Sequence, residues 1–458
     1  MDLINRLFSE MSSGDSAQLR RLVTADDLDV FAASSGNYNT LHLTYGLDAR
    51  EERVAPGMFV ASMVSAVLGT QLPGAGTLYR RQSLEFHERA HCGDELLCTV
   101  TVQEKRDDGL VRLETLVHRT SDNALVLSGH ADVEPPRSKV AIPNVEMPGL
   151  IVQRHRHFEA LLHKARQLPA LPTAVVCPDD ENSLGGALLA MREGLIRPLL
   201  IGHMQRIVQT ARQMNEKLDG VEIIEVTESD EAASALACRL VREGKVSAVM
   251  KGHLHTDDLL RPMLDKSTGL RVGRRFTHVF VMDVPGQPEP VMVTDAAINI
   301  APDLPTKVDI CQNAIDLALS LGMEPRVGVL SAVETVNPAI QSSIDAALLA
   351  KMADRGQIRG GMVEGPLAMD NAVDMGAART KGLRGAVAGR ANILVVPGLD
   401  AGNMLAKQLA FISHAEGAGL VLGARVPVVL NSRSDSPMSR LASCAVAALH
   451  NAHSRQAP

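Results

Sequence analysis

The stretch EPPRSKVAIPNVEMPG, from Glu134 to Gly149, holds four prolines and no hydrophobic period. Proline fixes its own backbone and restricts the residue before it, so such a run neither continues a helix nor enters the middle of a sheet. It reads as a linker, and the rhythm of the chain differs on its two sides. At 458 residues the chain is too long for one ordinary core. The organisation expected is a first domain over 1–135, a linker over 136–150 and a second domain over 151–458.

On the N-terminal side, TLYRRQSLEFHER, ELLCTVTVQEKR, LVRLETLVHRT and ALVLSGHADVE each alternate or run apolar, with turn signals between them. Ahead of them, PGMFVASMVSAVLGTQLPG carries apolar and small residues round almost its whole circumference, which suits a helix buried on most sides. One enclosed helix followed by an antiparallel meander describes a sheet wrapped round a helix. Beyond the linker, short apolar runs (TAVVCP, RPLLIG, VEIIEV, VSAVMKG, RVGVLS, ANILVVPG, VPVVLNS) alternate with helical stretches such as SLGGALLAMREG, EAASALACRLVREG and NMLAKQLAFISHAEGAG. Alternation of this kind predicts a parallel sheet with helices on both faces.

Hydrophobic residues make up 45% of the chain but aromatics only 2%, with no Trp, so the cores must be aliphatic and rich in Met. A formal net charge of −7 excludes a general nucleic-acid binder. A polyanionic ligand needs only a few well-placed Arg or Lys and stays open. The six cysteines form no C-x-x-C pair and read as reduced thiols. The N-terminus lacks the features of a secretory signal, and no run approaches the roughly 20 apolar residues of a membrane span. A soluble, cytoplasmic protein is expected. No H-x-x-x-H, H-E-x-x-H or paired-Cys pattern calls for a metal, and His253 and His255 read as loop histidines near an anion.

In the first domain, FAASSGNYNTLHLTYGLDA sets Asn37 and His42 five residues apart, and Ala55-Pro56-Gly57-Met58 opens the buried helix. The free N–H groups of that helix start could hold a thioester carbonyl as it gains negative charge. With PGAGTLYRRQSLEFHERAHCGDELLCTV, these segments resemble the MaoC-like, (R)-specific enoyl-CoA hydratases over about 130 residues. The resemblance implies a hot-dog fold of the α+β class. It places the family's catalytic Asp on Asn37, its catalytic His on His42, the oxyanion-hole glycine on Gly57 and an assisting serine on Ser65. Asn37 is a departure: it can orient a water but not accept its proton, and losing a general base costs about 10²–10⁴-fold in rate. The family's Pro after Asn39 is replaced by Thr40, and its His before Gly57 by Pro56. Three readings stay open: a hydratase with His42 as sole base, a non-catalytic acyl-CoA-binding domain, and a subunit-assembly module.

Three stretches carry chemistry in the second domain. In MKGHLHTDDLLRPML, a glycine after a strand and a Thr-Asp pair before a helix describe a loop that offers backbone N–H groups to an anion. Arg261 there could reach back to a phosphate, or pair with Asp257 or Asp258 along its own helix. In VPVVLNSRSDSPMSRL, a strand runs into Asn431-Ser432-Arg433, and Ser436 with Pro437 reads as an N-cap and first helical residue. Polar groups at the carboxyl end of a parallel strand are where α/β sheets bind ligands. The third, ILVVPGLDAGN, ends in a glycine-rich loop with Gly402 and Asn403.

From about Ala174 to Leu449 the chain resembles the phosphate acetyl/butyryltransferases, through MKGHLHTDDLLRP, FVMDVPG, VTDAAINIAPDLPTKVDICQNA, VGVLSAVETVNPAI, MADRGQIRGGMVEGPLAMDNAV, VAGRANILVVPGLDAGNMLAKQL and VPVVLNSRSDS. This implies the reaction acyl-CoA plus phosphate giving acyl phosphate plus CoA, with these as substrates and no further cofactor. It also implies a two-subdomain α/β fold of the isocitrate/isopropylmalate dehydrogenase type with the site in its cleft. The transition-state serine and arginine fall on Ser432 and Arg433, and the phosphate-side arginine on Arg261. The loop residues Thr256, Gly402 and Asn403 are expected at the substrate. The acetyl branch has an Asp seven residues past the serine, where this chain has Ser439, and Asp435 is the candidate replacement. The S-R-x-D-S, G-P-L-A-x-D-N and M-A-D-R-G-Q-I segments are closer to the butyryl branch. The pocket expected has Arg261, Arg433 and Ser432 converging on one phosphate. Rival readings are a CoA-binding scaffold without activity and a dehydrogenase on the same large fold, although the metal-binding aspartates of the latter are not evident. Both domain types imply a homo-oligomer.

Overall fold

The computed structural model describes residues 3–43, 53–142, 155–432 and 435–456. The chain divides into two compact units, Met1–Val152 and Gln153–Pro458.

In the first unit the strands are β1 (Leu3–Ile4), β2 (Ser16–Leu22), β3 (Leu78–Phe86), β4 (Glu95–Lys105), β5 (Val111–Arg119), β6 (Leu125–Glu134) and β7 (Ala141–Ile142). Five of them form an antiparallel sheet in the order β2-β4-β5-β6-β3, around the helix Gly57–Thr70. This is a hot-dog-like arrangement. The inward positions of β4 and β5 alternate strictly, with Leu96, Cys98, Val100 and Val102 facing Leu113 and Val117 in the same core. The helix buries Phe59, Val60, Met63, Val64, Val67 and Leu68, whereas Met58, Ser62, Ser65 and Ala66 stay exposed, so it is covered on one broad side rather than all round. Part of the segment expected to be a structureless linker is ordered: β7 pairs antiparallel with β1, closing a two-stranded ribbon from the two ends of the unit.

The second unit contributes β8 (Leu171–Val176), β9 (Ile196–Gly202), β10 (Glu222–Glu225), β11 (Ala248–Lys251), β12 (Thr277–Asp283), β13 (Val291–Thr294), β14 (Arg326–Leu330), β15 (Met362–Leu367), β16 (Ile393–Val395), β17 (Glu416–Leu422) and β18 (Val428–Val429). They form one sheet in the order β10-β9-β8-β11-β18-β17-β12-β13-β16-β14-β15. The sheet is mixed, not parallel as expected. Its two wings are parallel, but β18, β17, β12 and β13 are joined antiparallel at the centre. The reason is local: β12 returns directly into β13 through a short turn, and β17 returns likewise into β18, connections that only antiparallel neighbours allow. The helical reading of NMLAKQLAFISHAEGAG also ran too far, because the helix stops at Phe411 and EGAG begins β17.

Helices flank this sheet, and its core is aliphatic, with Val, Leu, Ile and Ala dominating. All six cysteines are free thiols; five are buried and Cys92 is partly exposed. Among the described residues no helix is long and apolar enough to cross a membrane.

Candidate active site

A cavity of about 600 Å³ opens in the second unit where β11 and β18 end side by side. Its polar wall is built from the turn after β18. Asn431 is buried and donates from Nδ2 to Asp435 Oδ2 at 3.1 Å and to Ser443 Oγ at 3.0 Å. The Ser432 N–H donates to the same Asp435 oxygen at 2.7 Å, and the Asp435 N–H returns to the Ser432 carbonyl at 3.2 Å. Asp435 therefore clamps the turn that presents Ser432.

Ser436 caps the helix Pro437–Gln456 as expected, its Oγ accepting from the Ser439 N–H at 3.0 Å. Ser436 Oγ and Ser439 Oγ both donate to Glu416 Oε2, at 2.6 and 2.5 Å. A carboxylate thus borders the position where the acetyl branch has an Asp, but it comes from β17. Burial pushes the Asp435 carboxyl above its ordinary value; the bonds from Asn431 and Ser432 and the nearby Arg440 oppose this, and Glu416 adds to it.

The other side is mostly apolar, with Phe280 and Met282 from β12 and Ala406, Ala410 and Phe411 from the helix Leu399–Phe411, which also brings Lys407 to the lining. Thr256 and Asn403 line the cavity. His255 precedes the helix Thr256–Leu264 without capping it by its side chain. Gly402 supports the site from behind: a Cβ there would lie 2.7 Å from the Asp295 carbonyl oxygen, while Asn403 Nδ2 donates to the Ala296 carbonyl at 3.3 Å. His253 is held by Asp179, Nδ1 to Oδ1, at 3.1 Å.

Arg261 is not where the sequence pattern puts it. It is absent from the cavity lining, two-thirds exposed, and ion-paired with Glu231. It pairs with neither Asp257 nor Asp258. Helix phase explains this: five residues past Thr256 carries a side chain about 500° round, roughly 140° away from the cavity-facing side. Leu259, Leu260 and Met263 bury the helix, and Arg261 is left outside. Arg433 lies outside the described residues. The expected convergence of two guanidinium groups with Ser432 therefore loses one of its members.

The charged residues Lys251 at the end of β11, Lys407 and Glu416 line the cavity without having been singled out from the sequence, as does Arg440 behind it, which donates from Nη2 to the Ser432 carbonyl at 2.9 Å. A lysine closing an otherwise apolar strand was the available signal for the first.

In the first unit, His42 Nδ1 lies 2.7 Å from the Val54 carbonyl. That contact requires the proton on Nδ1 and leaves Nε2 as the basic nitrogen. Arg53, itself buried against Asp29, donates to the His42 carbonyl from Nε at 2.9 Å and from Nη2 at 2.7 Å, fixing the segment. Asn37 Oδ1 accepts from the Asn39 N–H at 3.3 Å. Gly57 opens its helix with no side-chain cap, and a Cβ there would meet Phe86 at 2.8 Å. Ser65 engages the Tyr79 hydroxyl, whose pKa burial pushes up to about 12. Among the described residues no hydrogen bond joins Asn37, His42, Gly57 and Ser65 to one another.

A serine just past a strand end and a partly buried carboxyl beside a mostly apolar cavity form the candidate site of this α/β unit. The family profile described as Phosphate acetyl/butaryl transferase matches residues 217–448. The phosphate acetyltransferase of Rhizobium meliloti is 56% identical over 301 residues, covering 66% of this chain and 95% of its own. A branched-chain phosphotransacylase from Enterococcus faecalis V583 aligns with 30% identity and a TM-score of 0.54, over 61% of this chain and 99% of its own. The chain belongs to the phosphate acetyl/butyryltransferase family. An R-hydratase from Pseudomonas aeruginosa aligns with 33% of this chain and 100% of its own at 31% identity, with a TM-score of 0.32.

Proposed function

We propose that the second unit transfers a short acyl group between coenzyme A and inorganic phosphate within the cavity at Ser432. A phosphate oxygen forms a bond to the thioester carbon, the C–S bond breaks, and the thiolate takes up a proton to leave as free CoA. Negative charge spreads over the tetrahedral centre and then the sulfur, so preorganised donors in a water-poor cavity lower the barrier. Ser432 supplies a hydroxyl at the reacting centre, and Arg433 follows it in sequence. Asp435, with its carboxyl raised by burial and bonded to the Ser432 N–H, is the group suited to pass a proton there. The observation that carries the reading is the Asn431–Ser432–Asp435 turn lining a cavity whose other side is mostly apolar.

The acyl chain is short. The butyryl-like segments GPLAMDN and MADRGQI fall at β15 and at the end of the helix Gln341–Asp354, away from the cavity lining, so they do not report on chain length. The 56% relative is an acetyltransferase, which favours acetyl-CoA. Release of free thiol from acetyl-CoA and butyryl-CoA, with and without phosphate, tests the assignment. Phosphate-dependent release supports it; no release above the rate without enzyme, with CoA still bound, leaves a scaffold.

For the first unit the reading is an acyl-CoA-binding domain that at most hydrates an enoyl-CoA weakly. Its supports are the basic Nε2 of His42 and the uncapped helix start at Gly57. Loss of crotonyl-CoA absorbance, compared between the natural protein and Asn37→Asp, decides. Turnover only after the substitution identifies a binding domain. The edge strand β3, with Leu78 and Phe86 exposed, supports self-association of two copies.

A further inference from the structure

The helix Leu399–Phe411 brings Asn403, Lys407 and Phe411 to the cavity lining, each four residues after the last. Residues at that spacing share one face of a helix, with roughly 5–6 Å between their Cβ atoms. Lys407 is exposed, and among the described residues it makes no ion pair. Phe411 is 65% exposed although it belongs to the lining. A phenyl face left open beside a cavity can stack a planar ring, and the ammonium one turn earlier is free to meet an incoming anion.

The groups proposed to handle the reaction, Ser432 and Asp435, come from the turn after β18, whereas Lys407 stands on the helix among Ala406, Ala410 and Phe411. A small anion on that side would meet one cation and mostly apolar surface. A thioester carried on a long arm, with charged phosphates and a planar base at the far end, matches the same surface part by part. In CoA a single ribose joins the base to its phosphates, so an aromatic face and a cation one helical turn apart suit the two groups together.

We infer that Lys407 and Phe411 hold the nucleotide end of CoA, Lys407 by pairing with a phosphate group and Phe411 by stacking on the adenine. The pair recognises the carrier and leaves the acyl group to the rest of the cavity. This rests on a CoA thioester being a substrate of the cavity.

Initial rates with acetyl-CoA and with acetyl-pantetheine, which carries the same thioester without the nucleotide, test the inference in Lys407→Met and Phe411→Ala. Both side chains are exposed, so neither change opens the core. The preference for acetyl-CoA, taken as the ratio of the two kcat/KM values, should fall about fivefold or more in each variant. The KM for inorganic phosphate should stay within about twofold. Lys407→Arg should keep most of the preference, because it keeps the charge. A preference left intact in either variant, or equal losses with the two donors, overturns the inference and leaves the transferase reading standing. A rise confined to the phosphate KM in Lys407→Met assigns that cation to inorganic phosphate and overturns it too. If the natural protein releases no CoA, the transferase reading fails by itself. Calorimetric titration with CoA and with pantetheine then decides: weaker binding of CoA alone in both variants supports the inference, and unchanged or absent CoA binding overturns it.

Discussion

Asp435 holds two donors yet has its carboxyl raised, because partial burial outweighs the bonds from Asn431 and Ser432. Its folded-state value exceeds its unfolded one, so the ionised form opposes folding at neutral pH; that penalty shrinks as pH falls below the folded value and is gone below the unfolded one. Asp435→Asn keeps an acceptor for the Ser432 N–H and removes the charge. We expect kcat to fall about 10²–10⁴-fold with unfolding temperature at pH 7 equal or higher. Full kcat in this variant would remove Asp435 from proton transfer. Residues of this kind were legible where local order determines them: Ser432 and Asp435 end a strand, and Ser436-Pro437 is a helix start. Lys251 and Arg440 were not, because tertiary packing brings them beside the Asn431–Ser432 turn, which local spacing does not encode. Arg261 misled because a motif fixes sequence distance, whereas helix phase fixes direction.

At the scale of elements, the seven apolar runs recognised in the second domain all became strands, whereas β12, β13, β15 and β17 were not singled out. THVFVMD and VMVT are a hairpin at the sheet centre, buried on both faces, so they show no alternation to separate them from other apolar sequence. In the first domain β2 was missed for the opposite reason: it is an edge strand with only Ala17 and Leu19 turned to the core. The site depends on how closely loops cross the strand ends. At Gly252, after β11, a Cβ would lie 2.2 Å from the Val176 carbonyl oxygen and 2.4 Å from that of Cys177. Gly252→Ala should therefore displace the loop carrying Lys251 and Thr256, destabilise the unit by about 1–3 kcal/mol and depress turnover. Chemical unfolding with a turnover assay checks this; native stability and activity together would contradict the close approach.

At the scale of the whole chain, each of the two compact units has its own aliphatic core. The second unit also buries His278 fully and His450 in part, and the loss of solvation lowers both pKa values to about 4. A histidine depressed from its ordinary value stabilises the fold while both states are neutral, and that stability is lost as pH falls from about 6.5 toward 4. Each should withdraw on the order of 1–2 kcal/mol between pH 7 and pH 5. Urea midpoints across that range should fall, and the double variant His278→Phe/His450→Leu should flatten the slope; an unaltered slope would assign the acid sensitivity to other groups. The buried cysteines bear on how the enzyme can be studied. Burial raises the thiols of Cys98, Cys177, Cys311 and Cys444 to about 12 and that of Cys238 to about 11. Thiolate is the reactive form toward disulfide dyes, so the folded protein should titrate with little more than Cys92. Colour developing in such a dye can then be read as released CoA, and a sudden excess of it as the chain coming apart.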